Sequence, residues 1–84
     1  MFDVNYANQA KRFLKKIDNQ TAKRILDKIE NLQKDPFPSD VKRVVNRKEK
    51  IFRIRVGDYR IQYSVSYDKN VLIISEIEKR PRAY

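Results

Sequence analysis

The sequence contains no cysteine and no histidine. Disulfide staples, thiolate nucleophiles, Cys/His zinc sites and imidazole acid–base catalysis are excluded by that inventory. Without cross-links the fold must hold by packing, which suits a reducing cytoplasm. Long hydrophobic runs are missing too: the longest is Val71 to Ile74, far short of the ~20 residues that span a bilayer. The opening residues show no signal-peptide pattern, so a soluble, cytoplasmic protein with no membrane partner is expected. No repeat, low-complexity tract or linker is visible, and 84 residues support one core, so a single domain over residues 1–84 is expected. No paired Asp/Glu cluster suggests a two-metal site, and neither a metal nor a cofactor is expected.

Positive charge is what the chain has in excess. Lys and Arg number 20 against 11 Asp and Glu, for a formal charge of +9. Residues 1–50 carry net +6 and residues 51–84 net +3, so the excess is not confined to a tail. A hydrophobic fraction of 40% is ordinary for a globular domain, and basic residues often serve only solubility. Self-repulsion of this size favours a polyanionic partner instead, nucleic acid before a membrane surface.

Phe2, Val4 and Tyr6 alternate and predict a short strand. Ala7, Ala10, Phe13, Leu14 and Ile17 then recur at helical spacing, with Lys11, Arg12, Lys15 and Lys16 on the outer side. Asp18 or Asn19 caps a second helix whose apolar stripe is Ala22, Ile25, Leu26, Ile29 and Leu32. It stops before Asp35-Pro36-Phe37-Pro38, because proline lacks a donor and biases its predecessor away from helix. A looser basic segment, Val41 to Lys50, follows. From Ile51 the period becomes two, through Phe52, Ile54 and Val56, and Gly57-Asp58 supplies the glycine-first pair of a type II′ hairpin loop. Tyr59, Ile61, Tyr63, Val65 and Tyr67 continue the return, Asp68-Lys69-Asn70 turns the chain, and Val71 to Ile77 forms the last strand. The expected class is α+β, with an N-terminal strand and an αα-hairpin packed on a mostly antiparallel four-stranded sheet, in the order β-α-α-β-β-β.

A Gly57-Asp58 loop sets Arg55 opposite Arg60 and Arg53 opposite Gln62, with the apolar residues of both strands on the other face. Like charges directly opposite destabilise a ladder, so an anion between them explains the pattern. The bland alternative is neutralisation by acids: a three-residue loop at Asp68–Asn70 puts Glu78 opposite Arg60 and Glu76 opposite Gln62. Arg80 projects to the same face in that register. Four arginines exceed two glutamates, which favours a phosphate-binding face. Arginine makes bidentate phosphate contacts, stays protonated and can stack on a base. A basic RNA-binding module needs nothing more. A nuclease also needs a proton acceptor, and the route open here is metal-independent: attack by the RNA's own 2′-hydroxyl, with arginines stabilising the oxyanion. Tyr84, Glu76 and Glu78 are the candidate bases.

The run Phe52-Arg53-Ile54-Arg55-Val56-Gly57-Asp58-Tyr59-Arg60-Ile61-Gln62-Tyr63 resembles the central strand pair of the RelE/ParE toxin superfamily. Ala10 to Ile17, Asp35-Pro36-Phe37-Pro38, and the basic stretch from Lys79 and Arg80 to Tyr84 match its helical hairpin, following turn and tail. The resemblance implies a RelE-like fold and a toxin of a type II toxin–antitoxin system. RelE-branch toxins are mRNA interferases: they enter the ribosomal A site and cut mRNA as ribosome-dependent endoribonucleases. By that resemblance Arg60 stabilises the phosphate, Arg80 protonates or neutralises the leaving 5′ oxygen, Tyr84 orients or activates the 2′-hydroxyl and stacks on a base, and Arg53 and Arg55 contribute charge or a proton relay. Arg53 and Arg55 stand where that branch has lysines, and arginine is a poorer proton acceptor than lysine. Arg82, Lys11, Lys15 and Lys16 are further candidates for RNA contact. The implied partners are the small ribosomal subunit with its mRNA and a RelB-like antitoxin, which leaves room for a toxin–antitoxin heterotetramer. The ParE branch, which inhibits DNA gyrase without cutting nucleic acid, is the alternative.

Overall fold

The computed structural model describes residues 1–44 and 50–80. Strand β1 (Asp3–Tyr6) leads into helices α1 (Asn8–Lys16) and α2 (Asn19–Lys34), then β2 (Lys42–Arg43), β3 (Phe52–Val56), β4 (Tyr59–Ser66) and β5 (Val71–Lys79). The expected helical hairpin is present, but the sheet has five strands, not four, in the order β1-β5-β4-β3-β2. The added strand is β2, whose Lys42 and Arg43 pair with Arg53 and Phe52. Two residues carry no periodicity, so only the edge of β3 reveals them as a strand. β1 runs parallel to β5 and the other pairs are antiparallel.

Asp18 is the cap between the helices. It is extended, and its carboxylate accepts hydrogen bonds from the Thr21 amide at 3.0 Å and the Thr21 hydroxyl at 2.7 Å. These bonds lower the Asp18 pKa from its ordinary value of 3.8. Asp35, held extended by the proline after it, ends α2. Ile25, Ile29 and Leu32 of α2 are buried, whereas Leu26 is 42% exposed. Its expected place in the stripe is therefore corrected. Positions 25, 29 and 32 already fill the i, i+4, i+7 row, and residue 26 lies about 100° round the helix from 25.

The core places these side chains and Ala10 against Ile54, Ile61, Tyr63, Leu72, Ile74 and Ile77 from one face of the sheet. Tyr63 is fully buried, and its hydroxyl donates to the Pro36 carbonyl at 2.6 Å, which ties the turn after α2 to the sheet. Burial, with the Asp40 and Asp35 carboxylates nearby, raises its pKa well above the usual tyrosine range.

The hairpin at Gly57-Asp58 has the expected register: Val56 pairs with Tyr59, Arg55 with Arg60, and Ile54 with Ile61. Gly57 has φ of 57°, as the first position of a type II′ turn requires. A Cβ there would also meet the Arg24 guanidinium at 3.0 Å. The last turn departs from expectation. β4 ends at Ser66, paired with Val71, so four residues form the loop and Tyr67 is 66% exposed. Asn70 closes that loop at φ of 55°.

A bulge in β5 restores the register. Tyr63 pairs with Ile74 but Gln62 pairs with Glu76, leaving Ser75 as an extra residue whose hydroxyl donates to the Gln62 carbonyl at 3.0 Å. An extra residue reverses the facing of everything beyond it. Leu72 and Ile74 point into the core before the bulge and Ile77 after it, while Glu76 and Glu78 turn to the open face.

Candidate nucleic-acid interface

Alternation along β3 and β4 leaves their basic residues on the face the helices do not cover. Lys42, Arg53, Gln62 and Glu76 form one row across the sheet, and Arg55, Arg60 and Glu78 the next. Because Val56 and Tyr59 close a two-residue turn, the Arg55–Arg60 pair is of the non-hydrogen-bonded kind. Its Cα atoms approach to about 4.5 Å. Arg80 comes alongside because its amide donates to the Asp58 carbonyl at 2.6 Å, fastening the end of β5 to the hairpin.

These groups line a depression of about 160 Å³ walled by Asp40, Lys42, Arg53, Ile54, Arg55, Arg60 and Arg80. The structure therefore unites four predicted residues, Arg53, Arg55, Arg60 and Arg80. It adds Lys42 and Asp40, which the sequence hides because β2 has no pattern of its own. Lys11, Lys15 and Lys16 do not join them: they are exposed on α1, on the helix-covered side. Arg82 and Tyr84 lie outside the described residues.

The cations differ in their partners. Arg60 Nη2 forms an ion pair with Glu78 Oε1 at 2.7 Å, with the two side chains 23% and 32% exposed. Its Nε is sealed from solvent with no hydrogen-bond partner, a desolvation cost of roughly 1–3 kcal/mol. The neutralised alternative thus holds at Arg60. Arg53, Arg55, Arg80 and Lys42 have no carboxylate within ion-pair distance among the described residues, and Asp40 is paired with Lys28 at 3.4 Å. The depression keeps a net positive field with low-dielectric walls, which suits an anion. Among the described residues no group of three or more Asp or Glu is placed to hold a metal ion, and no helix is long and apolar enough to cross a membrane.

Comparison with known proteins decides the family. Residues 4–84 match the family described as the ParE toxin of type II toxin–antitoxin system, parDE. The chain belongs to this toxin family. Within the wider RelE/ParE superfamily, it is 33% identical over 86 residues to a protein of Methanocaldococcus jannaschii provisionally named toxin RelE1, covering 99% of this chain and 94% of that protein. The RelE–RelB complex of Pyrococcus horikoshii OT3 superimposes with a TM-score of 0.83 at 28% identity, covering 98% of each chain. Isolated Escherichia coli RelE gives 0.84 at 15% identity, over 99% of this chain and 88% of that one, a likeness of fold alone. The RelE-like α+β fold of this toxin is therefore shared across its superfamily, and the arginine-lined depression lies on the sheet face its helical hairpin leaves open.

Proposed function

We propose that this toxin cuts mRNA in the ribosomal A site as a metal-independent endoribonuclease. The observation that carries this reading is the convergence of Arg53, Arg55, Arg60 and Arg80, with Lys42, on one depression. A single-stranded RNA backbone laid across it places a phosphodiester among several fixed cations. The 2′-hydroxyl loses its proton to a base and attacks the adjacent phosphorus. The P–O5′ bond then breaks, giving a 2′,3′-cyclic phosphate and a 5′-hydroxyl that takes up a proton. Arg60, Arg53 and Arg55 stabilise the additional negative charge on the phosphorane, where fixed donors act most strongly. Arg80 neutralises the leaving oxygen. Tyr84 is assigned to the 2′-hydroxyl, and Arg82 to the RNA backbone. Lys11, Lys15 and Lys16, on the opposite side, contact ribosomal RNA phosphates.

A RelB-like antitoxin is the proposed protein partner, supported by the P. horikoshii relative, which was crystallised as a complex of RelE with RelB. The match to the ParE family supports a second reading, inhibition of DNA gyrase without cleavage.

Toeprinting on programmed ribosomes separates the two. Wild type is expected to leave A-site cuts that an Arg60→Ala, Arg80→Ala double variant does not. Intact mRNA with wild type, together with lost supercoiling in a gyrase assay, would replace the nuclease reading by the second one.

A further inference from the structure

The Arg60–Glu78 contact is an unusual resting state for a phosphate-binding arginine. Glu78 sits directly opposite Arg60 in the ladder and reaches it at 2.7 Å, while Arg55 faces Arg60 from the other side. The pair is made through Nη2, and Nε is sealed without a partner. The side-on fork of Nε and Nη2, which could grip a phosphate bidentately, is therefore not used by Glu78. Asp40, the carboxylate that lines the depression, is taken up by Lys28. Among the described residues Glu78 alone neutralises an arginine of this site.

We infer that Glu78 is an internal competitor for the phosphate: it holds Arg60 against loose anions and yields it only to a phosphate presented at high effective concentration. This rests on the reading of the depression as a phosphate site. Both groups are partly desolvated, so their attraction is screened less than that of a surface pair. A free anion must displace the carboxylate before it gains Arg60. A phosphodiester already held by Arg53, Arg55 and Arg80 makes the exchange intramolecularly, which removes most of the entropic disadvantage. Glu78 thereby sets specificity for positioned over free RNA. It acts through Arg60 and is a positioning residue, not a catalytic one.

The bulge at Ser75 makes the contact possible. Without it the register of the outer part of β5 would place Ile77 opposite Arg60. Glu76, which pairs with Gln62 on the same face, supplies an internal control of equal charge.

The test titrates Glu78→Gln, Glu76→Gln and wild type with inorganic phosphate and with a 2′-O-methylated RNA heptamer, following the Arg60 Nε–H resonance and RNA anisotropy. Removing the competitor is expected to tighten inorganic phosphate roughly fivefold, as for a partly exposed ion pair, and the RNA heptamer by less, with Glu76→Gln within about twofold of wild type for both. In an Arg60→Ala background the Glu78→Gln gain is expected to vanish, the non-additivity of a direct pair. Equal gains for the two glutamate variants, no gain for Glu78→Gln, or a gain that survives Arg60→Ala would overturn the inference. Melting curves check folding, and Glu78→Ser replaces Glu78→Gln if the latter is unfolded. Neither probe needs a ribosome, so a gyrase inhibitor would show the same competition while leaving mRNA intact in toeprinting.

Discussion

Two side chains act at the ends of α2. The Tyr63 hydroxyl donates to the Pro36 carbonyl from a fully buried position, so Tyr63→Phe leaves that carbonyl without its partner. A loss of about 1–2 kcal/mol is expected, read as a lower urea midpoint with unchanged slope. Asp18 governs the other end of α2. Because its folded pKa is lowered by the Thr21 bonds, its ionised form stabilises the folded state above the ordinary value of 3.8. That contribution is lost as pH falls through the lowered folded value. Asp18→Asn keeps an acceptor but does not titrate. Its melting temperature is expected to fall below wild type at pH 7 and to converge with it as the pH falls far enough to protonate Asp18 in the folded state. A temperature difference constant across that range would contradict the assignment.

At the scale of elements, β5 carries the most consequence, since it pairs on both sides and presents both glutamates. β1 accompanies it only from Val71 to Ile74, and beyond that point Gln9 takes over. The Gln9 amide donates to the Ile77 carbonyl at 2.8 Å and accepts from the Ile77 amide at 2.9 Å. One side chain from α1 thus imitates a neighbouring strand and satisfies both backbone groups. Gln9→Leu is expected to destabilise by about 2–4 kcal/mol, because two part-buried groups lose their partners at once. Hydrogen exchange at the Ile77 amide should rise well beyond that at the Leu72 amide. Similar protection at both amides would show that Gln9 is dispensable.

For the whole molecule, the two basic surfaces lie on opposite sides of the sheet. That separation divides the basic residues of a chain with net charge +9 between two distinguishable faces. A short single-stranded RNA in solution should engage the arginine depression alone. Replacing Arg53, Arg55, Arg60 and Arg80 by alanine is expected to reduce the slope of log K against log salt by about 2–3. The Lys11→Ala, Lys15→Ala, Lys16→Ala variant should keep a slope within about 0.7 of wild type. Equal losses in the two variants would mean that charge acts only as a diffuse field.

Local pattern determined the class of the fold, both helices, the Gly57-Asp58 turn and the facing of Arg53, Arg55 and Arg60. Periodicity and a two-residue loop leave little freedom once one face must be buried. Tertiary structure alone decided the rest. Strand β2 exists because β3 offers an edge, not because Lys42 and Arg43 prefer extended backbone. Leu26 is outside because neighbouring residues already fill the row that meets the sheet. The Arg60–Glu78 pairing was one of the two readings that strand alternation offered, but the route to it was not visible: a four-residue loop shifts the register and the bulge at Ser75 shifts it back, two offsets that cancel at that pair. Both offsets are properties of paired strands.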